Sequence, residues 1–527
     1  MTASLRLRGR VEHAMDRLPS PLLLGTVATS AIALASFGAG ATRNRGGVLD
    51  ALGLNSLAFG HAAGVLGALL WAGIYLLAFS WILLGRRTIF GAGARTEAER
   101  THKVQRTLFA WVTPLLFAAP ILSRDVYSYL MQGAMLRDGF DPYTQGAAAN
   151  PGPMLLEVSH DWRNTTTPYG PLHLWLGEGV TRLVGDNITL GVICYKLVAV
   201  AGMAAIAWSI PRIAIRLGSD SAFALWFGVA NPIMVLHMVG GMHNESLMVG
   251  LVSVGLLLCL YRRFISGVAL IAVAVSLKAT AAIALPFVVW MATRHLAAAW
   301  QASGGAPRPE TGRAPALRAL PYRYAVGAFF ASAIGLAALT IAVIAAITWA
   351  SGSSWGWLAE ISGNSKVINP LSLPSLLAGV TTDTVRIVDD AFSFNAPLTV
   401  LRSVFSILML LGLAVTWWLF KDTDRAAVRG IAVAYAVAFV FNAVSLPWYY
   451  ASLITLFAVT PAARNTVSWA VGISVVISVA FTGSGNHQLY NVAYMVAAAF
   501  AAWALVSLVR PHTAVQPGDT PARAQLA

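Results

Sequence analysis

The sequence predicts an all-α polytopic membrane protein, on three observations. Hydrophobic residues make up 57% of the chain and charged residues only 11%, with a mean hydropathy of +0.67, whereas soluble domains carry about a quarter charged residues. Apolar runs of membrane-spanning length recur from end to end, for about 14 spans in all. The basic residues sit in short loops between those runs, the distribution that the positive-inside rule produces. The formal net charge of +14 therefore orients spans and does not predict nucleic-acid binding. Cys194 and Cys259 both fall inside apolar runs, which excludes a disulfide framework and offers no metal-thiolate spacing. No metal cluster and no cofactor is predicted.

Segment 1–20, basic through Arg6, Arg8 and Arg10, stays cytoplasmic and shows no convincing cleavage site. Pro21–Ala41 and Ser56–Leu84 form the first two spans. The loop that follows holds Arg86, Arg87, Arg95, Arg100, Lys103 and Arg106, the strongest cytoplasmic marker in the chain. Thr107–Leu122 then crosses outward and delivers Asp125 to the extracytoplasmic surface. Val126–Arg137 reads as a short interfacial helix stopped by Asp138-Gly139.

The first large outer loop covers 123–187. It ends in Leu172–Val184, apolar but too short to span, hence re-entrant or interfacial. Ile188–Ile215, Ala222–Val239 and Ser246–Leu260 cross in turn, with a tight outer turn at Gly240–Glu245. Phe264–Ala292 is broken by Lys278 into two half-helices, which keeps the basic stretch 293–323 cytoplasmic. Its Gly/Pro/Ala-rich centre, Ala302–Pro315, reads as a mobile connector. Ala325–Ala350 leads to a second outer loop, 351–397. The last spans are Leu398–Phe420, Arg429–Phe441, Leu446–Ala462, Thr466–Thr482 and Asn486–Leu508, before a polar cytoplasmic tail, 509–527, read as disordered. No internal repeat is apparent, which argues against a secondary transporter.

Polar groups concentrate in the outer loops, while the later spans are almost free of ionisable residues. An apolar body under a charge-rich outer face suits an enzyme that takes a lipid-linked substrate. Transfer of a glycosyl group from a lipid phosphate needs donors or cations where negative charge develops. It also needs a carboxylate to take the acceptor hydroxyl's proton. Asp125 is the candidate base. Arg124, Arg163, His243, Glu245, Lys278 and Lys366 are candidates for the donor phosphate and sugar. Tyr127, Asp141, Tyr143, Trp162, Tyr169, Trp448 and Tyr449 are candidates to hold sugar faces and hydroxyls. Structural roles compete at several of these positions: helix-dipole complementation for Asp125, a turn role for Asp141, snorkelling for Lys278, and belt anchoring for Trp448 and Tyr449.

Six motifs carry a resemblance: Ser123-Arg-Asp-Val-Tyr-Ser-Tyr129, Asp138-Gly-Phe-Asp-Pro-Tyr143, Thr167-Pro-Tyr-Gly-Pro171, Gly241-Met-His-Asn-Glu245, Lys278 to Pro286, and Leu446-Pro-Trp-Tyr-Tyr450. In this order the chain, from about Arg106 to Asn491, resembles the actinobacterial α-1,6-mannosyltransferases of lipomannan and lipoarabinomannan synthesis. The resemblance implies a GT-C glycosyltransferase domain over 21–508, with an Asp of the first outer loop as the catalytic residue. It also implies polyprenyl-phosphate-mannose as donor, a mannan-bearing lipid such as a phosphatidylinositol mannoside or lipomannan precursor as acceptor, and inversion to an α-1,6 product; no metal is carried over from it. The rival readings are a transporter or flippase of polyprenyl-linked sugars and a non-enzymatic scaffold.

Overall fold

A computed structural model describes residues 15, 17–91, 95–304, 314–363 and 368–509. The described residues form helices and no strand, with one isolated bridge between Phe481 and His487. Among the described residues six helices are each long and apolar enough to cross a membrane: Pro21–Ala39 (α1), Gly60–Thr88 (α2), Ile188–Leu217, Ala279–Ser303, Tyr322–Ala350 and Asn395–Leu419. The protein is thus membrane-embedded. The other apolar stretches are built from shorter pieces, so helix length alone does not fix the number of spans.

Two predicted spans in the N-terminal half differ in form. Thr107–Leu122 was expected as one helix. The helix there is Glu97–Leu115 (α3), started by a capping box between Thr96 and Glu99, which satisfies otherwise orphaned N–H groups within a charged first turn. It ends before 116–122, an irregular strap in which Ile121 and Leu122 are fully buried. Ala222–Val239 also divides, into Ser221–Gly228 and a π-helical segment, Met234–Gly240. Pro232 follows Asn231 at the break, and a residue before proline is pushed out of the helical region. Asn231 accepts from the Ile233 N–H at 3.0 Å and donates to Ser474 Oγ at 3.0 Å, so the broken backbone is satisfied locally.

Most other boundaries lie near the sequence reading, although the predicted span Leu446–Ala462 is a 3₁₀ turn, Pro447–Tyr449, followed by the short helix Tyr450–Ala458. Asp125–Arg137 (α4) and Pro171–Val184 (α5) are two short helices within segment 123–187, and Ile188–Leu217 (α6) follows. Ser221–Gly228 (α7) and Glu245–Leu260 (α8) come next. Phe264–Leu277 (α9) and Leu285–Ser303 (α10) are the halves separated at Lys278, whose backbone is extended (φ −153°, ψ 126°). Segment 351–397 is more helical than predicted, with Trp357–Gly363 and Leu373–Val385 inside it. Most of Ala302–Pro315 and nearly all of the tail lie outside the described residues.

Specific packing contacts hold these elements together. The indoles of Trp81 on α2 and Trp226 on α7 stack at 5.0 Å, and each N–H donates to the other's carbonyl at 2.9 Å. Two large rings are thereby buried with no unsatisfied N–H. At the basic loop, Arg100 pairs with Asp220 at 2.7 Å and Glu97 accepts from Ser221. Helix α4 crosses α5 where Gly133 meets Gly177: a Cβ on Gly133 would lie 2.2 Å from the Gly177 carbonyl carbon. Only glycine permits that approach, and it brings the start of α5 against α4.

Candidate active site

Asp125 opens α4, where a carboxylate complements the helix dipole. Ser123 Oγ accepts from the Asp125 N–H at 3.1 Å. The strap before it is tied to two distant segments: Ile121 N–H donates to Gly240 at 3.3 Å and Leu122 N–H to Gly483 at 2.8 Å. Leu122 takes a positive φ of 63° to make that turn. A non-glycine residue in the left-handed region costs on the order of 1 kcal/mol and persists where its surroundings over-determine it.

The opposing wall is the turn between the π-helical segment and α8, two helices bent by 113°. Met242 at its tip also has a positive φ, 55°. The turn places His243 Nδ1 3.5 Å from Asp125 Oδ2. That is too long for a strong hydrogen bond. Burial, with His237 and Lys278 nearby, pushes the His243 imidazole far below its usual pKa, so the contact is with a neutral ring. The fully buried His243 stacks on Trp448 at 3.6 Å and 16°. Two residues on, the Glu245 carboxylate forms a buried ion pair with Lys278. The Lys278 ammonium also lies 4.2 Å from the Tyr449 ring centroid and 5.2 Å from that of Tyr169.

Of these groups Asp125, Tyr169 and Tyr449 line one cleft, together with Ser128, Gln132, Trp162 and Glu360 among others, while His243 and Lys278 pack against that lining. The Asp125 side chain is 17% exposed there. Burial and the neighbouring Glu245 push its pKa up to about 6, against opposing pulls from Lys278 and the Ser123 hydroxyl. A carboxylate tuned to that value is ionised at neutral pH yet basic enough to accept a proton during reaction. Among the described residues no group of three or more His, Cys, Asp and Glu is placed to hold a metal.

Of the residues singled out from the sequence, the fold gathers Asp125, His243, Glu245, Lys278, Trp162, Tyr169, Trp448 and Tyr449. Others are engaged elsewhere. Arg124 donates to the carbonyls of Thr42 at 2.6 Å and Glu157 at 2.9 Å, and covers the Tyr127 ring. Tyr127 is buried and donates to the Ala41 carbonyl at 2.8 Å. Arg163 donates to the carbonyls of Val158 at 3.2 Å and Leu156 at 3.3 Å. Asp141 accepts from the Tyr143 N–H at 2.9 Å, a turn role, and Tyr143 is buried against Gly356. Lys366 lies outside the described residues.

The sequence reading did not single out Ser128, Gln132, His173, Asn244 or Glu360. Ser128 and Gln132 follow Asp125 on α4 at helical spacing, a signal available in advance. His173 and Glu360 come from other elements and carried none.

Comparison with known proteins decides the family. A family model described as alpha-(1->6)-mannopyranosyltransferase, N-terminal domain, matches residues 22–294, and the MptB C-terminal domain model matches 375–510. The chain belongs to the α-(1→6)-mannopyranosyltransferase family. It is 60% identical to alpha-(1->6)-mannopyranosyltransferase A of Corynebacterium glutamicum over 89% of this chain and 94% of that one. It is 36% identical to the protein of the same name from Mycobacterium tuberculosis, over 89% of this chain and 86% of that one. Alpha-(1->6)-mannopyranosyltransferase B of Corynebacterium glutamicum is 29% identical over 76% of this chain and 64% of its own length. This mannopyranosyltransferase-family chain is therefore a glycosyltransferase enzyme, and neither the flippase nor the scaffold reading is favoured.

Proposed function

We propose that this enzyme is a GT-C type inverting mannosyltransferase. It takes mannose from a polyprenyl-phosphate-mannose donor and adds it through an α-1,6 linkage to a mannan-bearing lipid acceptor. The observation that carries the reading is Asp125, a carboxylate with a raised pKa, lining a cleft whose Tyr169 and Tyr449 rings pack against the cation of a buried ion pair. Asp125 acts as the base: it takes the proton of the acceptor hydroxyl as that oxygen bonds to the mannosyl carbon and the phosphate departs. One displacement at that carbon inverts its configuration and needs no covalent intermediate. Lys278 has three N–H donors, of which Glu245 occupies one, leaving donors for the departing phosphate, where charge grows in the transition state. The rings of Tyr169, Tyr449 and Trp162 offer faces to the sugars.

The reaction is placed on the extracytoplasmic side of the plasma membrane, supported by the basic loop Arg86–Arg106 on the opposite side. Washed membranes supplied with labelled polyprenyl-phosphate-mannose and a defined acceptor should yield an α-1,6-linked product. A different linkage, or no transfer, would overturn the reading. A cysteine introduced near Ala148 should react with an impermeant reagent from outside, and one near Gly304 should not. The reverse pattern would put the cleft in the cytoplasm.

A further inference from the structure

Behind the cleft lies a buried polar relay that the chemistry above does not use. His173, 1% exposed, stands in the first turn of α5 between two amides. Its Nδ1 lies 3.2 Å from Asn244 Nδ2, and its Nε2 lies 3.1 Å from Gln132 Oε1. The ring packs on Tyr169 at 4.4 Å and meets the Tyr129 ring edge-on at 4.8 Å, so it cannot turn freely.

The donor and acceptor inventory of these groups sets the direction of both bonds. An amide nitrogen only donates, so His173 Nδ1 accepts from Asn244. The imidazole is then the Nε2–H tautomer, and that N–H donates to Gln132 Oε1. The ring is neutral, since burial, with Lys278 nearby, pushes its pKa down to about 3. Gln132 is left with its carbonyl occupied and its NH₂ group available. It lines the cleft on the helix face that carries Asp125 and Ser128.

The charge pattern of the cleft divides its occupants. No lysine or arginine lines it among the described residues, but the Lys278 ammonium packs against the Tyr449 and Tyr169 rings, which do. Around Gln132 stand Ser128, Trp162 and Thr165, neutral groups able to stack and to exchange hydrogen bonds. An anionic phosphate belongs with the former and an uncharged saccharide with the latter.

We propose that Gln132 is a specificity-determining residue of an acceptor-saccharide subsite on α4. Its amide N–H, aimed by His173, donates to one hydroxyl oxygen of the acceptor. Gln132 touches the substrate; His173 is a positioning residue that fixes which end of the amide faces the cleft. Asn244 passes that constraint to the turn bearing His243 and Glu245, so recognition of the acceptor and the charged side of the site share one frame. The proposal rests on the mannosyl-transfer reading.

The test compares synthetic oligomannoside acceptors, each lacking one hydroxyl, with the parent acceptor, in wild type and Gln132→Met. The ratio of kcat/KM for two acceptors on one preparation cancels the amount of active enzyme, so reduced expression does not obscure it. In wild type, one deoxy acceptor should lose about tenfold against the parent, the worth of one hydrogen bond to a site built for it. In Gln132→Met the same deoxy acceptor should lose little or nothing further, with the donor KM unchanged. His173→Phe keeps the ring packing but removes the N–H; it should shrink the same deoxy penalty while leaving kcat on saturating parent acceptor within a few-fold. Identical deoxy penalties in wild type and Gln132→Met for every hydroxyl would overturn the subsite, and an unchanged penalty in His173→Phe would remove its positioning role. Absence of transfer to the parent acceptor by wild type is a separate outcome, which defeats the mannosyl-transfer reading instead.

Discussion

Lys278 and Lys196 are both buried lysines of an apolar body, and their surroundings differ in kind. Lys196 sits within α6 and donates to the carbonyls of Leu115 at 3.1 Å and Val239 at 2.9 Å. Those carbonyls end α3 and the π-helical segment, where helix dipoles favour a cation. Among the described residues no carboxylate pairs with it. Lys278 instead stands where the helix is broken, pairs with Glu245, and borders a cleft through Tyr169 and Tyr449. The first lysine fastens two backbone ends that other elements abandon. The second is held by a charge and by rings that themselves face the substrate space. Burial of a lysine alone therefore does not mark a site; the partner does.

The largest effect that tests this contrast is expected at Asp125, which couples electrostatically to the Lys278–Glu245 pair. Asp125→Asn should lower transfer by about 100- to 10,000-fold, the usual worth of a general base. Its stability should not fall. The folded pKa is raised from 3.8 to about 6, so the ionised carboxylate costs stability above pH 6, and that cost vanishes below the unfolded value. Removing the charge should stabilise the fold at pH 7 by up to about 3 kcal/mol, readable as a raised melting temperature in detergent. An active Asp125→Asn enzyme at matched expression would sink the base assignment.

Next come the two lysines themselves. Lys278→Met leaves Glu245 buried and unpaired, which should destabilise by about 3–5 kcal/mol and abolish donor use. Adding Glu245→Gln should restore much of the stability and none of the activity. Lys196→Met should cost about 1–3 kcal/mol through orphaned carbonyls, with kcat/KM of the folded fraction within a few-fold of wild type. Should Lys196→Met and Lys278→Met lose activity in parallel with stability, the distinction between fastener and ligand collapses.

A milder effect follows from pH. Asp125 must be ionised to accept a proton, so kcat/KM for acceptor should be level above pH 7 and fall as pH drops through about 6. A profile flat to pH 5 would exclude a titrating base of that value. The smallest effect is expected at Arg163, whose guanidinium is spent on Val158 and Leu156 carbonyls. Arg163→Ala should cost about 1 kcal/mol of stability and leave the donor KM unchanged; a tenfold rise in that KM would return it to the phosphate site.

The sequence by itself determined the class of molecule and much of its punctuation. Hydropathy marked the membrane body because a bilayer admits only long apolar segments with satisfied backbones. Lys278 marked a helix break, and Leu172–Val184 a helix too short to span, because one charge or one length suffices to decide each. Asp125 stood out because a carboxylate at the end of an apolar run is costly. What only the tertiary structure decided was partnership. Arg124 read as a phosphate ligand from its charge, but the carbonyls of Thr42 and Glu157, distant in sequence, occupy it; Arg163 is the local exception, spent on the nearby Val158 and Leu156 carbonyls. The extent of Thr107–Leu122 was misread because an irregular strap buried among helices is as apolar as a helix. His173 was invisible because its role depends on a crossing at Gly133 and Gly177, residues that carry no chemistry. Apolar content and helical period are local properties of a chain. Which donor meets which acceptor depends on segments far apart in sequence, and only packing brings those together.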